Sequence, residues 1–346
     1  MKQESILHKR WKKFKSLKRG YYSLCIILIL YFISFFLPLV INNRALIVSY
    51  NNDLYFPIIS GYIPGKQFGQ DVPGEARYRL LQKTFRNDKE NNNWVIMPLY
   101  EFSPLEDITF EGNKMFEPPS RTHWMGTDNT GRDVFARLCY AFNISISFGL
   151  ILTIINYLVG IFIGGCMGYY GGKFDLFFQR LIEVWSSLPI LFVIIIISSI
   201  LKPSFILLIG IYTLVNWISM TYLIRAEFYR EKAKPYVAAA LSMGQSDFKV
   251  MFKHILPNSL VPIITYFPFS VVAGISALVG LDYLGFGLPP PTPSWGQMLD
   301  VGLSNITKWW MVLAPVSSQF FTLLGIVFIG EGVREAFDPK VYSRLR

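Results

Sequence analysis

Six long apolar runs dominate this chain of 346 residues, and each is long enough to cross a lipid bilayer. A transmembrane helix needs about 20 mostly apolar residues to cover roughly 30 Å of hydrocarbon. Because unpaired backbone groups are not tolerated in lipid, each run is predicted to be helical. Only 16% of the residues are charged, whereas soluble domains have about 25%. The six runs cover residues 21–41, 144–170, 176–201, 204–224, 259–287 and 312–330.

The predicted fold class is therefore an all-α polytopic membrane protein with six transmembrane helices. The third run contains Pro189, and the fifth contains Pro262 and Pro268. Spanning helices tolerate proline better than soluble helices do, so both runs are predicted to continue through these residues.

The net charge of +10 indicates a membrane topology rather than a nucleic-acid surface. Basic residues are concentrated in three segments, which are residues 1–20, residues 225–258 and the C-terminal tail. Six spans place these segments on one side of the membrane, and the positive-inside rule makes that side the cytoplasm. Both termini are thus predicted to be cytoplasmic. The predicted organisation is a basic tail (1–20), a first helix (21–41), an extracytoplasmic insertion (42–140) and a core with the other five helices (141–346).

The insertion at 42–140 is rich in glycine, proline, asparagine and aromatic residues. Its short apolar alternations predict a small subdomain with a few strands. Four aromatic residues are expected to hold this subdomain together: Trp94, Phe102, Phe110 and Trp124.

The polar segment at 225–258, between the fourth and fifth runs, predicts two short helices instead of a span. The first can begin at Pro235, which suits a first turn, and end at Gly244, which tolerates a left-handed cap. The second can begin after Ser246, a good N-cap, and Pro257 is predicted to end it. The apolar residues of the second helix recur at helical spacing and form one stripe, namely Phe248, Met251, Phe252 and Ile255. This pattern is typical of a docking element.

The segment at 225–258 resembles the EAA loop of ABC-importer permeases. The matching positions are Ala239, Ala240, Gly244, Leu256 and Pro257. One departure is Ala238, which stands where the motif has glutamate. The resemblance implies that the loop lies in a groove of an ATPase and couples ATP hydrolysis to movement of the membrane helices. The implied coupling residues are Tyr236, Ala239, Ala240, Gly244, Phe248, Phe252, Leu256 and Pro257.

Further motifs resemble the second permease of peptide and nickel importers. Residues 126–134 read GTDNTGRDV and match the pattern G-T-D-x-x-G-R-D-V, a turn in which Asp128 and Arg132 are expected to pair. Residues 168–175 and 281–299 also follow the family patterns. The long insertion is most similar to that of the microcin C importer branch. The resemblance covers nearly the whole chain after the first run and implies the type I permease fold of ABC importers.

The resemblance also implies the partners and the location of this chain. It would be one membrane subunit of a bacterial inner-membrane importer for peptides or peptide-like compounds, including the microcin C type. The implied partners are a second, homologous permease in a heterodimer, two ATP-binding subunits or one fused ATPase, and an extracytoplasmic binding protein. ATP and magnesium would be used by the partner subunits, with no cofactor bound by this chain.

The sequence contains no G-x-x-x-x-G-K-[ST] phosphate loop, so the chain is not expected to be an ATPase. It contains neither a G-x-S-x-G nor an H-E-x-x-H motif, so another enzyme is not expected either. A membrane enzyme using Glu183, His254 or Asp282 is disfavoured, because these residues are predicted at different depths and on different sides. An ion-driven secondary transporter is the alternative function, and it predicts dependence on an ion gradient instead of ATP.

Three residues are candidates for a substrate path, although each has a second interpretation. Asp282 could line a water-filled path or cap a helix end. Trp185 and Trp295 could contact a peptide, but tryptophans near membrane interfaces are usually anchors.

Two patterns within the runs concern packing. Gly160, Gly164 and Gly168 form a ladder of small residues that allows close approach of helices. Packing within the subunit is favoured, and a seam with a partner permease is the alternative. Arg180 and Glu183 share one helix face and are expected to neutralise each other.

Overall fold

The computed structural model describes residues 6–87, 92–106 and 115–338, so the predicted anchor Phe110 lies outside the described residues. The described chain is mostly helical. Its first five helices are α1 (Ile6–Ser16), α2 (Lys18–Ser34), α3 (Leu37–Val40), α4 (Pro57–Ser60) and α5 (Tyr78–Asn87). The next five helices are α6 (Val134–Tyr170), α7 (Gly172–Ser186), α8 (Ile190–Ile200), α9 (Phe205–Lys232) and α10 (Pro235–Ser242). The last four helices are α11 (Asp247–Lys249), α12 (Leu256–Tyr283), α13 (Trp295–Ser304) and α14 (Trp309–Phe337).

Four stretches of the described chain are long and apolar enough to cross a membrane as single helices: Val134–Tyr170, Phe205–Lys232, Asp247–Tyr283 and Trp309–Phe337. Two further pairs qualify only when each pair is taken together. His8–Ser16 and α2 are bent by 96° at their junction, and α7 and α8 are bent by 69°. The described chain therefore has four to six candidate spans.

The third apolar run is not one helix, contrary to the prediction. α7 ends at Ser186 and α8 begins at Ile190, with the Pro189 backbone extended between them (φ −72°, ψ 110°). Proline lacks an N–H for the helical ladder and disfavours helical backbone in the residue before it, which explains the break at this point. Pro262 and Pro268, in contrast, lie inside the continuous helix α12, as predicted.

The first apolar run is also interrupted. α2 ends at Ser34, and the short helix α3 begins at Leu37 with Pro38 in its first turn. The Ser34 hydroxyl donates to the Tyr31 carbonyl at 2.6 Å. The prediction of one continuous helix over 21–41 is therefore wrong, because a proline again fixes a new helix start.

The chain forms two compact units. The helical unit comprises residues 1–28, 145–289 and 320–346, and the mixed unit comprises residues 29–144 and 290–319. The mixed unit contains the strands expected in the insertion, which are β1 (Ile47–Tyr50), β2 (Asp53–Tyr55) and β3 (Trp94–Ile96). They form an antiparallel sheet in the order β2-β1-β3, in which Val48 is opposite both Tyr55 and Val95.

A buried polar cluster organises the GTDNTGRDV turn of the mixed unit. The Asp128 carboxylate accepts from the backbone N–H of Arg132 at 2.9 Å and lies 3.5 Å from the Arg137 guanidinium. The predicted pairing with the Arg132 side chain is therefore wrong, because Asp128 bonds to the backbone of its own turn. Asp133 accepts from the Tyr100 hydroxyl at 2.6 Å and contacts His123 at 2.8 Å. Burial and the neighbouring Asp133 raise the pKa of Tyr100, so this hydroxyl stays a proton donor.

The glycine ladder packs α6 against α9 within the helical unit. A Cβ atom at Gly160 would lie 2.7 Å from the Met220 Cβ atom, and one at Gly168 would lie 2.5 Å from the Arg225 carbonyl oxygen. Only glycine allows this approach of the two backbones. The ladder is therefore used for packing within the subunit, which is the favoured interpretation of the sequence.

Candidate coupling loop and substrate path

The first helix of the predicted coupling loop is capped as the sequence predicts. α10 begins at Pro235 and ends at Ser242, and Gly244 has a left-handed backbone (φ +73°). The Gly244 N–H donates to the Leu241 carbonyl at 2.9 Å, and the Gln245 N–H donates to the Ala240 carbonyl at 3.3 Å. These two bonds are those of a Schellman cap, in which glycine is preferred at the left-handed position.

The second helix differs from the prediction, because Pro257 does not end it. α11 starts at Asp247, passes through a π-helical turn at Val250–Ile255 and continues as α12. The Leu256 N–H donates to the Met251 carbonyl, five residues back. This wide turn directly precedes Pro257, which has no N–H to donate, and the chain stays helical across the proline. The second part of the loop is thus the start of a long helix that is one of the four candidate spans.

The π-helical turn also divides the predicted apolar stripe. Met251 and Ile255 are buried in a core shared with Val250, Val237 and Ala240. The Phe248 side chain is 66% exposed, and Phe252 is half-buried, with its ring centroid 4.6 Å from that of Phe248. A π turn has more residues than an α turn, so residues spaced for one face of an α-helix separate onto two faces.

Three large apolar side chains are exposed on the loop, among exposed charged residues such as Lys234 and Lys249. Leu241, Met243 and Phe248 are 41%, 71% and 66% exposed. We call these three residues the loop face. Of the other predicted coupling residues, Ala239, Gly244 and Pro257 are exposed, Tyr236, Phe252 and Leu256 are half-buried, and Ala240 is buried. The sequence analysis did not identify Leu241 and Met243, which lie at the end of α10 next to the glycine cap.

Polar contacts fix the loop to the helices on either side. The Tyr236 hydroxyl donates to Glu231 at 2.9 Å, and Lys234 pairs with the same carboxylate at 2.6 Å. The Tyr169 hydroxyl, at the end of α6, donates to Asp247 at 2.6 Å. Burial and the neighbouring Glu231 raise the pKa of Tyr236 to about 12, so its hydroxyl remains a donor at neutral pH. Tyr236 therefore holds the start of α10 against the end of α9.

The three predicted path residues have separate surroundings. The Trp185 indole N–H donates to the Leu214 carbonyl at 2.5 Å. Asp282 is buried and accepts from the Leu288 N–H at 2.7 Å, so its carboxylate caps the turn after α12. This bond favours the capping interpretation of Asp282. Trp295 is the first residue of α13 and is only 1% exposed.

A cleft that the sequence analysis missed lies between α6, α9 and α12 of the helical unit. Its volume is about 380 Å³. Its polar lining consists of Thr153, Asn156, Tyr157, Tyr212, Asn216, Ser219, Tyr266 and Ser270. The available signal was the presence of two asparagines inside apolar runs, because amide side chains are costly to place in lipid. Across the described ranges, no group of His, Cys, Asp and Glu is arranged to hold a metal ion.

Comparison with known proteins agrees with this architecture. A family model described as the inner membrane component of binding-protein-dependent transport systems matches residues 140–342. The chain belongs to this family. It is therefore a multi-pass inner-membrane permease subunit of a transport system and not an enzyme.

Individual relatives extend the match beyond the family region. The inner membrane ABC transporter permease protein YejE of Escherichia coli is 41% identical over 332 residues, which cover 96% of each chain. The peptidoglycan transport system permease protein YejE of Agrobacterium fabrum is 36% identical over 96% of this chain and 92% of its own. The dipeptide transport system permease protein DppC of Bacillus subtilis is 36% identical over 65% of this chain and 71% of its own. The predicted resemblance to the permeases of peptide importers is confirmed, and the two relatives that match over nearly the whole chain are both YejE proteins.

Proposed function

We propose that this permease is one of two homologous membrane subunits of an ATP-driven importer that moves peptides or peptide-like compounds into the cytoplasm. The observation that carries the proposal is the loop face, three exposed apolar side chains on a loop whose other large apolar residues lie in or against a buried core. Large apolar side chains exposed on a polar segment outside the apolar runs are candidates for a protein contact. The names of the relatives, which include peptidoglycan and dipeptide transport systems, support a peptide-like cargo. Cargo of the microcin C type, which the sequence resemblance implies, falls within this proposal.

The proposed complex contains a second permease, two ATP-binding subunits or one fused ATPase, and an extracytoplasmic binding protein that delivers the cargo. ATP and magnesium are bound by the ATPase. This permease supplies no chemistry, and its role is to couple two conformations of the complex.

The loop is built to transmit movement. α11, the π-helical turn and α12 form one continuous helix, so a displacement of Phe248 reaches the span directly. α10 is tied to the end of α9 through Tyr236 and Glu231. Closure of the ATPase against the loop face would therefore move α9 and α12 together, and the helices would alternate between inward-facing and outward-facing arrangements.

We further propose the six-span topology of the sequence analysis, with each bent pair inserted as one span. Residues 42–140 would then be extracytoplasmic, and residues 1–20, the loop at 225–258 and the C-terminal tail would be cytoplasmic. The basic residues of these three segments support this orientation through the positive-inside rule.

Cysteine labelling tests the topology. In a variant without Cys25, Cys139 and Cys166, we expect Ile59→Cys to react with a membrane-impermeant maleimide added to spheroplasts. Ser246→Cys should react only in inside-out vesicles from cells that lack the ATPase. Both sites are exposed in the structure, so unequal labelling reports the side of the membrane. Labelling of Ser246→Cys in sealed spheroplasts would exclude the proposed topology.

Uptake in a purified system tests the energy source. We expect proteoliposomes that contain both permeases, the ATPase and the binding protein to take up radiolabelled trialanine when ATP is supplied on the cytoplasmic side. Uptake should persist after ionophores collapse the proton and sodium gradients. Uptake that requires an ion gradient and does not depend on ATP would instead identify a secondary transporter.

A further inference from the structure

The cleft between α6, α9 and α12 has the size and lining of a ligand site. Its volume of about 380 Å³ falls within the range of roughly 300–1,000 Å³ found for small-molecule sites. Apolar residues such as Leu152, Met220 and Leu223 form part of its wall, with hydroxyl and amide groups between them. Among the described residues, no charged side chain lines it.

The mouth of the cleft is too polar to face lipid tails. Asn216 and Ser219 are exposed near the middle of α9, and Tyr266 is exposed on α12. Polar residues at this depth normally face the interior of a bundle or a water-filled cavity. The cleft is therefore expected to face the interior of a helix bundle or a water-filled cavity and not lipid tails.

One buried polar atom of a residue that lines the cleft has no partner in the part of the chain that the structure describes. The Asn156 side chain is only 8% exposed, and its Oδ1 atom accepts no hydrogen bond. Nearby groups are already paired, since the Tyr157 hydroxyl bonds Ser270 at 2.8 Å and the Tyr212 hydroxyl donates to the Ala277 carbonyl at 3.3 Å. An unsatisfied buried acceptor is unfavourable, and a ligand with an N–H or O–H donor would relieve it.

We propose that this cleft is the part of the translocation path that contacts the cargo, and that Asn156 accepts a hydrogen bond from an uncharged donor such as a peptide N–H. This inference rests on the proposed function. The lack of charged lining disfavours contact with a charged terminus, because a charge in a low-dielectric site needs a partner. A cleft that recognises backbone amides would bind peptides with little dependence on their side chains.

The test uses the reconstituted complex with radiolabelled trialanine and ATP. Asn156→Leu removes the amide, and we expect it to lower the uptake rate about tenfold, which is the size of effect expected for one lost hydrogen bond. Asn156→Gln keeps an amide and should retain most of the uptake. Thr213→Val is the matched control, because the Thr213 hydroxyl is also buried without a partner but does not line the cleft. This control should transport like the wild type.

A second arm covers the case in which Asn156→Leu fails to assemble. In the variant without native cysteines, Ser219→Cys is assembled first and then modified with benzyl methanethiosulfonate, which should block uptake while the ATPase stays bound. Ser199→Cys, which is exposed on α8 outside the cleft, should tolerate the same treatment. Trialanine present during modification should slow the reaction at Ser219→Cys only.

The outcomes separate the two proposals. Wild-type complex that takes up no trialanine with ATP would reject the peptide-import function, and the inference with it. Normal uptake by the wild type, by Asn156→Leu and by modified Ser219→Cys would reject the cleft alone. Dissociation of the second permease after modification of Ser219→Cys would also reject it, because the cleft would then be a subunit contact.

Discussion

A leucine in place of Gly164 should remove most of the folded permease from the membrane. A Cβ atom at this position would overlap the Thr221 carbonyl oxygen and lie 3.0 Å from the Thr221 Cα atom. Both are backbone atoms of α9, so no side chain can rotate away. Overpacking typically costs about 1–3 kcal/mol, and a contact with backbone lies at or above the upper end of this range. Since proteins are stable by only about 5–15 kcal/mol, the loss is large.

The measurement is the amount of tagged permease in purified membranes and its melting temperature in detergent. Gly280→Leu is the matched control, because a Cβ atom at Gly280 would have no heavy atom of the described chain within 4 Å apart from its chain neighbours and its own helix backbone. Equal abundance and melting temperature for the two variants would show that α6 and α9 are not packed through the glycine ladder. Normal abundance of Gly164→Leu with loss of the second permease would instead support a seam between subunits.

A valine in place of Gly244 should abolish ATP-driven uptake while the permease remains inserted and paired. Gly244 has φ +73° and open space around it, so the effect comes from the backbone and not from a clash. A β-branched residue is strained in the left-handed region, by about 1–2 kcal/mol or more. The valine is expected to relieve this strain by changing the turn, which would shift Met243 and Phe248 relative to each other.

Gly244→Asn provides the matched control, because asparagine adopts the left-handed conformation more readily than other residues with a Cβ atom. We expect this variant to keep most of the uptake of the wild type. Membrane abundance of both variants should be normal, since the loop lies outside the apolar runs. Equal loss of uptake in both variants would mean that the position requires the absence of a side chain and not a particular backbone conformation.

Features that depend on local sequence were predictable. Pro235 and Gly244 bracket the first helix of the loop because the first residue fixes φ and the second tolerates a left-handed cap. The ladder of Gly160, Gly164 and Gly168 indicated a close helix contact because three small residues share one face.

Features that depend on which helices pack against each other were not predictable. Proline interrupts a helix at Pro189 but lies inside a continuous helix at Pro262, although both residues lie in apolar runs. The π-helical turn at Val250–Ile255 directly precedes Pro257 and contributes three buried residues to a core shared with α9 and α10. The sequence of the loop alone does not show this packing. The cleft combines residues from three helices that are far apart in sequence, so no single run could reveal it.

The division into two units was also beyond sequence reasoning. Residues 290–319 join the mixed unit although they follow the fifth apolar run. The Trp310 indole N–H donates to the Thr127 carbonyl at 3.3 Å, a contact across 183 positions of sequence. Gly126 allows this contact, because a Cβ atom there would lie 2.8 Å from the Trp310 indole nitrogen. A long-range contact of this kind leaves no periodic signal in the sequence.

ATP hydrolysis by the reconstituted complex, measured with and without loaded binding protein, tests the coupling role of residues 235–257 most directly. We predict that loaded binding protein stimulates hydrolysis in the wild type and in Gly244→Asn. The stimulation should be lost in Gly244→Val, although the same amount of ATPase copurifies with the permease. Stimulated hydrolysis at the wild-type level in Gly244→Val, together with normal uptake, would contradict the assignment of this loop as the coupling element.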